Sequence, residues 1–406
     1  MHPGSVGSAS LLIAGTAVGA GVLAIPIQTG LAGLLPAVIG IILVWLAMLC
    51  AGLILAGSLI TYPLQDTDLP SLFQNELGTI GKWLSTIGYL IIFYGLMTAY
   101  LAGSMSVLSS LFSSTKAGYL LLAFFLPATA LSLFGLSVVQ RSNVLIMAVL
   151  ALSFVFLLGM GWQTMDRTHF AYTDWSYFPA ILPIITCSFG YGVIIPTICR
   201  TLQGDIRRIR KALIWGTLIP VGVSLLWIMV IIGSIPLYNG NSPDSLIRAF
   251  MHSEPATVPL ARVSGTDRII GAGLIFSLCA ILTSYLAVST SLMSFHRDLL
   301  APVLPGGAYW IRAALVFVPP LLAVLFSSGL FLTALDIVGG LGIAMIFGLC
   351  PGLIALKKRS DGTMRWIYAG VVLIFFFGFI LLLELGQELN LLQLHPAVEN
   401  WKVNHP

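Results

Sequence analysis

Gly15-Thr16-Ala17-Val18-Gly19-Ala20-Gly21-Val22-Leu23-Ala24-Ile25-Pro26 falls inside the first apolar block of the chain, yet it packs three glycines and a proline into twelve residues. Each glycine costs a helix about 1 kcal/mol and an interior proline about 3 kcal/mol. The block, about 8–29, is long enough for a helix and is predicted to be a broken one. A second stretch repeats the pattern. Ser188-Phe189-Gly190-Tyr191-Gly192-Val193-Ile194-Ile195-Pro196 shares with it Gly-x-Gly-Val followed by a proline.

The surroundings of these stretches fix the fold class. The 406 residues carry 19 Lys+Arg and 15 Asp+Glu against 58% apolar residues, with a mean hydropathy of +1.00. A soluble chain is about 25% charged, so a water-soluble globular protein is excluded, as is disorder. The apolar residues fall in blocks of about 20, the length a helix needs to cross a ~30 Å hydrocarbon core. Runs such as 120–126 and 371–383 lack the alternation of a membrane β-barrel. The chain is an all-α polytopic membrane protein whose apolar blocks predict eleven transmembrane helices, at about 8–29, 36–60, 83–112, 118–137, 143–162, 179–199, 212–235, 268–296, 310–327, 331–355 and 366–385. The first block has no preceding Lys or Arg and no convincing cleavage site, and reads as a retained span.

With the N-terminus cytoplasmic, thirteen of the nineteen basic residues fall in inside segments, including the cluster Arg207, Arg208, Arg210 and Lys211. The positive-inside rule then gives a multi-pass plasma (inner) membrane protein with its N-terminus inside and its C-terminus outside. The cluster reads as a loop anchor, so no nucleic acid is expected, and no obligate protein partner is evident. The partners are the lipid bilayer and a small molecule. Residues 68–82 read as a separate interfacial helix, with Leu69, Leu72, Phe73, Leu77 and Ile80 on one face. The outside loop 236–267, with a turn signal at Asn239-Gly240-Asn241-Ser242-Pro243, reads equally as a cap on the entrance or a solvated connector. Cys50, Cys187, Cys199, Cys279 and Cys350 show no CxxC pair and read as inert thiols. Asp336 and Glu384 lie near span ends and read as satisfied at an interface.

The two interrupted spans begin two sets of five, so the halves run oppositely through the membrane. Glycine- and proline-interrupted spans at matching positions mark the midplane site of an inverted-repeat transporter. The expected organisation is a first repeat at 1–164, a second at 165–356, and an eleventh helix with an extracytoplasmic tail at 357–406. A helix broken at mid-membrane leaves N–H groups at the start of one half and C=O groups at the end of the other, each end carrying dipole charge. A zwitterion fits that arrangement. Its carboxylate meets the N–H groups around Ala20, Gly21 and Val22, and its ammonium meets carbonyls near Ala17, Ser188 and Phe189, without any charged side chain. Thr16, Gly19, Gly190 and Tyr191 belong to the same stretches.

These two stretches resemble the hydroxy and aromatic amino acid permease family of the amino acid–polyamine–organocation superfamily, with 15–26 following its first-helix signature and 188–196 its sixth. The resemblance implies a five-plus-five inverted repeat with broken helices 1 and 6 (a LeuT-like fold), and cation-coupled amino acid import by alternating access rather than enzyme activity. A tyrosine or tryptophan substrate is implied, with a serine/threonine permease of the same family as the alternative. One position departs from the family: a histidine often follows the aromatic of helix six, where this chain has Gly192. The stretch Ala280-Ile281-Leu282-Thr283-Ser284-Tyr285-Leu286-Ala287 is similar to helix eight of sodium-coupled transporters of this fold. That resemblance implies a Na+ site from the Thr283 and Ser284 hydroxyls and the Gly15 and Val18 carbonyls. The alternative is that both hydroxyls bond only to their surroundings.

For the side-chain pocket, span three contributes Tyr94, Met97, Thr98 and Tyr100, with Tyr94 and Thr98 four apart on one face beside Leu101, joined by Phe189, Tyr191 and, if the helix-eight similarity holds, Val288. No cofactor is expected beyond the coupling ion. Composition favours Na+, since spans one, three, six and eight hold no ionisable acid or helix-six histidine, whereas family resemblance favours H+; both stay open. A sensor or channel on the same fold is the reading from another class.

Overall fold

A computed structural model describes residues 4–19, 21–65, 67–112, 114–134, 136–238, 244–300, 309–327, 329–357 and 364–394. Ala20 and the expected turn at 239–243 lie outside them. The first apolar block forms two helices, α1 (Val6–Ala17) and α2 (Gly21–Gly30), bent by 59° at the glycine-rich break. Then come α3 (Leu34–Leu59), α4 (Leu69–Leu111), α5 (Ala117–Leu133) and α6 (Leu136–Gln163). The sixth apolar block is broken as expected, into α7 (Leu182–Ser188), a 3-10 turn (Tyr191–Ile194) and α8 (Ile195–Thr201).

The second part continues with α9 (Ile206–Ser234), the short α10 (Leu246–Met251) and α11 (Thr257–Ser264), α12 (Asp267–Leu300) and α13 (Tyr309–Phe326). The tenth block is α14 (Phe331–Ile337), a π-helical segment (Val338–Leu349) and α15 (Cys350–Lys357), and α16 (Met364–Glu388) follows. Among the described residues nine helices are long and apolar enough to cross a membrane, and the bent pair α1/α2 makes ten. The remaining expected span, α5, has 17 residues, the lower limit for crossing.

Three expectations change. The short helix expected before span three is present at 69–77, set off from the rest of α4 by the non-helical Gly78 (φ 70°, ψ −151°), but it packs on the protein. Leu69, Leu72 and Phe73 are buried against the protein, whereas Ile80, past the break, is exposed. The tenth span holds a π-helical stretch that its apolar periodicity did not announce. Its glycines make close packing possible: a Cβ on Gly339 would lie 1.9 Å from the Pro183 carbonyl oxygen. Lastly, Asp336 and Glu384 are 3% and 1% exposed, and among the described residues Asp336 Oδ1 and Glu384 Oε1 have no hydrogen-bond partner, so neither acid is satisfied as expected.

Two connections cover the far end of α2. In the loop after α6, the Asp174 N–H donates to the Ala32 carbonyl at 2.9 Å, and Gly33 pairs with Thr173. Within that loop Asp166 accepts from the Thr168 N–H and hydroxyl at 2.9 and 2.7 Å, and these bonds hold its carboxyl below the usual range. In the loop after α9, the Ala256 N–H donates to the Leu23 carbonyl at 2.8 Å, and Leu246 packs on Gly30. Thus α10 and α11 cap α2.

At the opposite end, the Gly4 N–H donates to the Thr201 carbonyl and Arg208 to the Gly4 carbonyl. Arg200 reaches the Leu64 and Thr67 carbonyls and pairs with Asp68 at 2.5 Å.

Candidate functional site

The two breaks meet. Helix α1 ends where the Val18 N–H donates to the Ala14 carbonyl at 2.8 Å, with Val18 turned out of the helical region at φ −84° and ψ 88°. Helix α7 ends at Phe189, after which the Tyr191 N–H donates to the Phe189 carbonyl in a tight turn at 2.9 Å. Both helices therefore present last-turn carbonyls that lack intrahelical partners. The breaks touch through small residues: a Cβ on Gly21 would lie 2.8 Å from the Ser188 Oγ, and one on Gly19 would lie 3.0 Å from the Ser284 Oγ.

A cavity of about 500 Å³ opens at this junction, a volume usual for a small-molecule site. Of the expected residues, Gly15, Thr16, Ala17, Val18, Gly19, Gly21, Ser188, Gly190, Thr283, Ser284 and Val288 line it. The cavity runs along α1 from Gly21 as far as Leu11, and α2 contributes only Gly21. Among the described residues no charged side chain lines it. Its hydroxyls donate largely to their own helices: Thr16 to Leu12, Ser188 to Ile184, and Thr283 to Cys279 and Ala280, at 2.8–3.1 Å. Their oxygen lone pairs remain as acceptors. Ser284 is hydrogen-bonded to the Tyr100 hydroxyl.

The other expected residues sit elsewhere. Val22 is buried outside the cavity, and its N–H donates to the Gly19 carbonyl at 3.1 Å, so that amide already has a partner. Tyr94 points to another neighbour: its hydroxyl donates to the Leu315 carbonyl at 2.8 Å and lies 3.1 Å from His296 Nε2. The Thr98 hydroxyl donates to the Tyr94 carbonyl. Phe189 and Tyr191 are 1% exposed behind the lining, and the Tyr191 hydroxyl donates to the Met48 carbonyl at 2.9 Å. Ala20 is outside the described residues.

The aromatic groups that do face the cavity are Phe93, Tyr100 and Phe347. On α4 the cavity face is Ile92, Phe93, Leu96 and Tyr100, so of the expected span-three residues Tyr100 lines the cavity and Tyr94, Met97 and Thr98 do not. The i, i+3, i+7 spacing of Phe93, Leu96 and Tyr100 was a usable signal, but an apolar helix shows that periodicity on several faces. Phe347, on the π segment, has no local signal. Its ring fills the space over Gly192, where an added Cβ would lie 2.1 Å from the ring.

The sequence profile described as the tryptophan/tyrosine permease family matches residues 2–385. The tyrosine-specific transport system 2 of Haemophilus influenzae is 27% identical over 376 residues, covering 89% of this chain and 90% of that protein. The tryptophan-specific transport protein of Pseudomonas aeruginosa is also 27% identical, over 392 residues and 91% of each chain. Among solved structures, a manganese transporter of Eremococcus coleocola superposes with a TM-score of 0.58 at 13% identity, over 98% of this chain and 90% of that one. At that identity the likeness concerns the fold alone.

Proposed function

Because the chain belongs to the tryptophan/tyrosine permease family, a family of transporters and not of enzymes, we propose that it imports an aromatic amino acid, tyrosine or tryptophan, across the inner membrane by alternating access coupled to a cation. The carrying observation is the uncharged cavity at two broken helices, faced by Phe93, Tyr100 and Phe347. Helix ends supply the partial charges that a zwitterion's two termini need, and the rings suit an aromatic side chain. In this reading the chain has eleven spans, with inverted repeats at 1–164 and 165–356 and an added segment at 357–406. The N-terminus is inside and the C-terminus outside. The cavity, running along α1 while α2 is capped, then belongs to the inward-facing state.

The coupling ion in this reading is Na+, held by the Gly15 and Val18 carbonyls with the Thr283 and Ser284 hydroxyls. Supporting it, all four residues line the one cavity, and the hydroxyl and carbonyl oxygens are hard ligands. The test is uptake of radiolabelled tyrosine and tryptophan into proteoliposomes, with sodium and proton gradients imposed separately and serine and threonine as competitors. Saturable aromatic uptake is expected. Serine or threonine as the preferred substrate would move the chain to the hydroxy amino acid reading, and passive ion flux without uptake would make it a channel. Binding without any flux would make it a sensor.

A further inference from the structure

Behind the cavity wall, three buried polar side chains from three different helices meet without enough hydrogens among them. Gln28 of α2 is fully buried, and its Nε2 donates to Asp336 Oδ2 of α14 at 2.6 Å. Glu384 of α16 comes in beside them. A Cβ on Gly340, four residues past Asp336, would lie 2.7 Å from the Glu384 Cβ and Cγ, so the missing side chain there is what lets the acid lie against this helix. Among the described residues, Gln28 Oε1, Asp336 Oδ1 and Glu384 Oε1 are buried with no hydrogen-bond partner. Among the described residues no ion pair reaches either acid. The titratable groups facing the pair are Glu388, exposed on α16 one turn beyond Glu384, and the Cys187 thiol of α7.

Two carboxylates in a low-dielectric interior with one amide donor between them are an expensive arrangement, and like charges so placed do not both ionise. A proton removes the conflict. If it sits on Asp336 Oδ1, the new O–H donates to Gln28 Oε1 while the Gln28 N–H₂ continues to donate to Oδ2. The acid and the amide then form a doubly bonded pair, and one proton satisfies two of the three orphaned oxygens. Ionised, Asp336 has no hydrogen to offer Gln28 Oε1, and both oxygens stay without a partner.

We propose that Asp336 and Glu384 form a proton-binding site of the transport cycle, filled from the aqueous face that carries Glu388, and that its occupancy sets how firmly Gln28 holds α2. The step is a simple protonation: an O–H bond forms on a carboxylate, the proton comes from water by way of Glu388, and nothing is oxidised or reduced. The inference rests on the transport reading above for its place in a cycle. It adds a proton whether or not sodium also moves.

Two measurements test it. In proteoliposomes with equal sodium on both sides and a pH-sensitive dye inside, tyrosine or tryptophan added outside should acidify the lumen. In Asp336→Asn and Glu384→Gln the protons moved per labelled amino acid should fall at least tenfold, whereas His296→Gln should match the wild type. An unchanged ratio in the Asp336→Asn/Glu384→Gln double variant would overturn the proposal, as would wild-type uptake with no proton movement. Absence of any aromatic uptake by the wild type would instead overturn the transport reading.

The second measurement needs no substrate. A site that binds a proton in the folded protein and not in the unfolded one loses stability as pH rises above the ordinary carboxylate range of about 4. The melting temperature of detergent-purified wild type should therefore fall between pH 5 and 8, and the double variant should show a flatter profile. Parallel profiles would overturn the site, whatever the substrate.

Discussion

The two halves of the first broken helix have nearly the same composition and opposite surroundings. Helix α1 leaves Leu11, Leu12, Gly15 and Thr16 exposed along the cavity, and its start is tied through Gly4 to Thr201 and Arg208. Helix α2 is buried at every position from Val22 to Gly30, capped by α10 and α11 and tied by Gln28 to Asp336. The difference teaches that the break divides a span into a half that forms a wall of the cavity and a half that is part of the core. An isolated apolar helix has no reason to do this. The asymmetry comes from what its neighbours supply, two loops and a buried amide–acid contact on one side only.

The largest way to break the contrast is at the junction itself. Gly21→Leu should reduce uptake at least a hundredfold with protein still present in the membrane, because its Cβ would already lie 2.8 Å from the Ser188 Oγ and 3.2 Å from the Ser188 Cα. Gly19→Leu should do the same. Wild-type transport by both, measured with labelled tyrosine, would remove the junction from the site.

Loosening α2 comes next. Gln28→Leu removes the donor to Asp336 and should cost about 1–3 kcal/mol, the usual penalty for a buried group left without its partner. A cysteine placed at Ile27 should then gain reactivity towards a soluble maleimide. Unchanged labelling would mean that the loops alone hold α2.

A finer probe is Phe93→Ala, which should weaken tyrosine and tryptophan about threefold to tenfold more than serine, the range expected of one ring–ring contact. Equal losses would show that Phe93 shapes the cavity without reading the side chain. The smallest effect belongs to the tether at the α1 end. Arg200→Ala removes a pair with 38% and 68% exposed partners, so screening limits the change to under about 1 kcal/mol. Titrating uptake against salt should show the wild type approaching the variant as ionic strength rises.

What could be read from the sequence follows from how local each signal is. Both helix interruptions were legible, because glycine and proline act on the backbone where they stand, and eight of the candidate residues around them do meet at one cavity. Tyr94 and Thr98 were misplaced because an apolar span packed on several sides carries no single hydrophobic face, so the choice between Tyr94 and Phe93 rests on neighbours the sequence does not list. The Gln28–Asp336 bond joins residues 308 apart in the chain, and Phe347 reaches the cavity from a π-helical segment. Neither has a local signature. The apolar face of 69–77 was correctly seen, but whether it lies on lipid or on protein was decided by the turn at Gly78.

The packing of Phe347 on Gly192 also constrains the order in which this chain could change. A histidine at 192 would collide with the ring as long as position 347 is phenylalanine. The two positions are therefore mutationally linked. Gly192→His should be deleterious alone and tolerated only on a Phe347→Ala or Phe347→Gly background, so a lineage moving between the two forms must first pass through a variant with a small residue at 347 and an empty space where both side chains were.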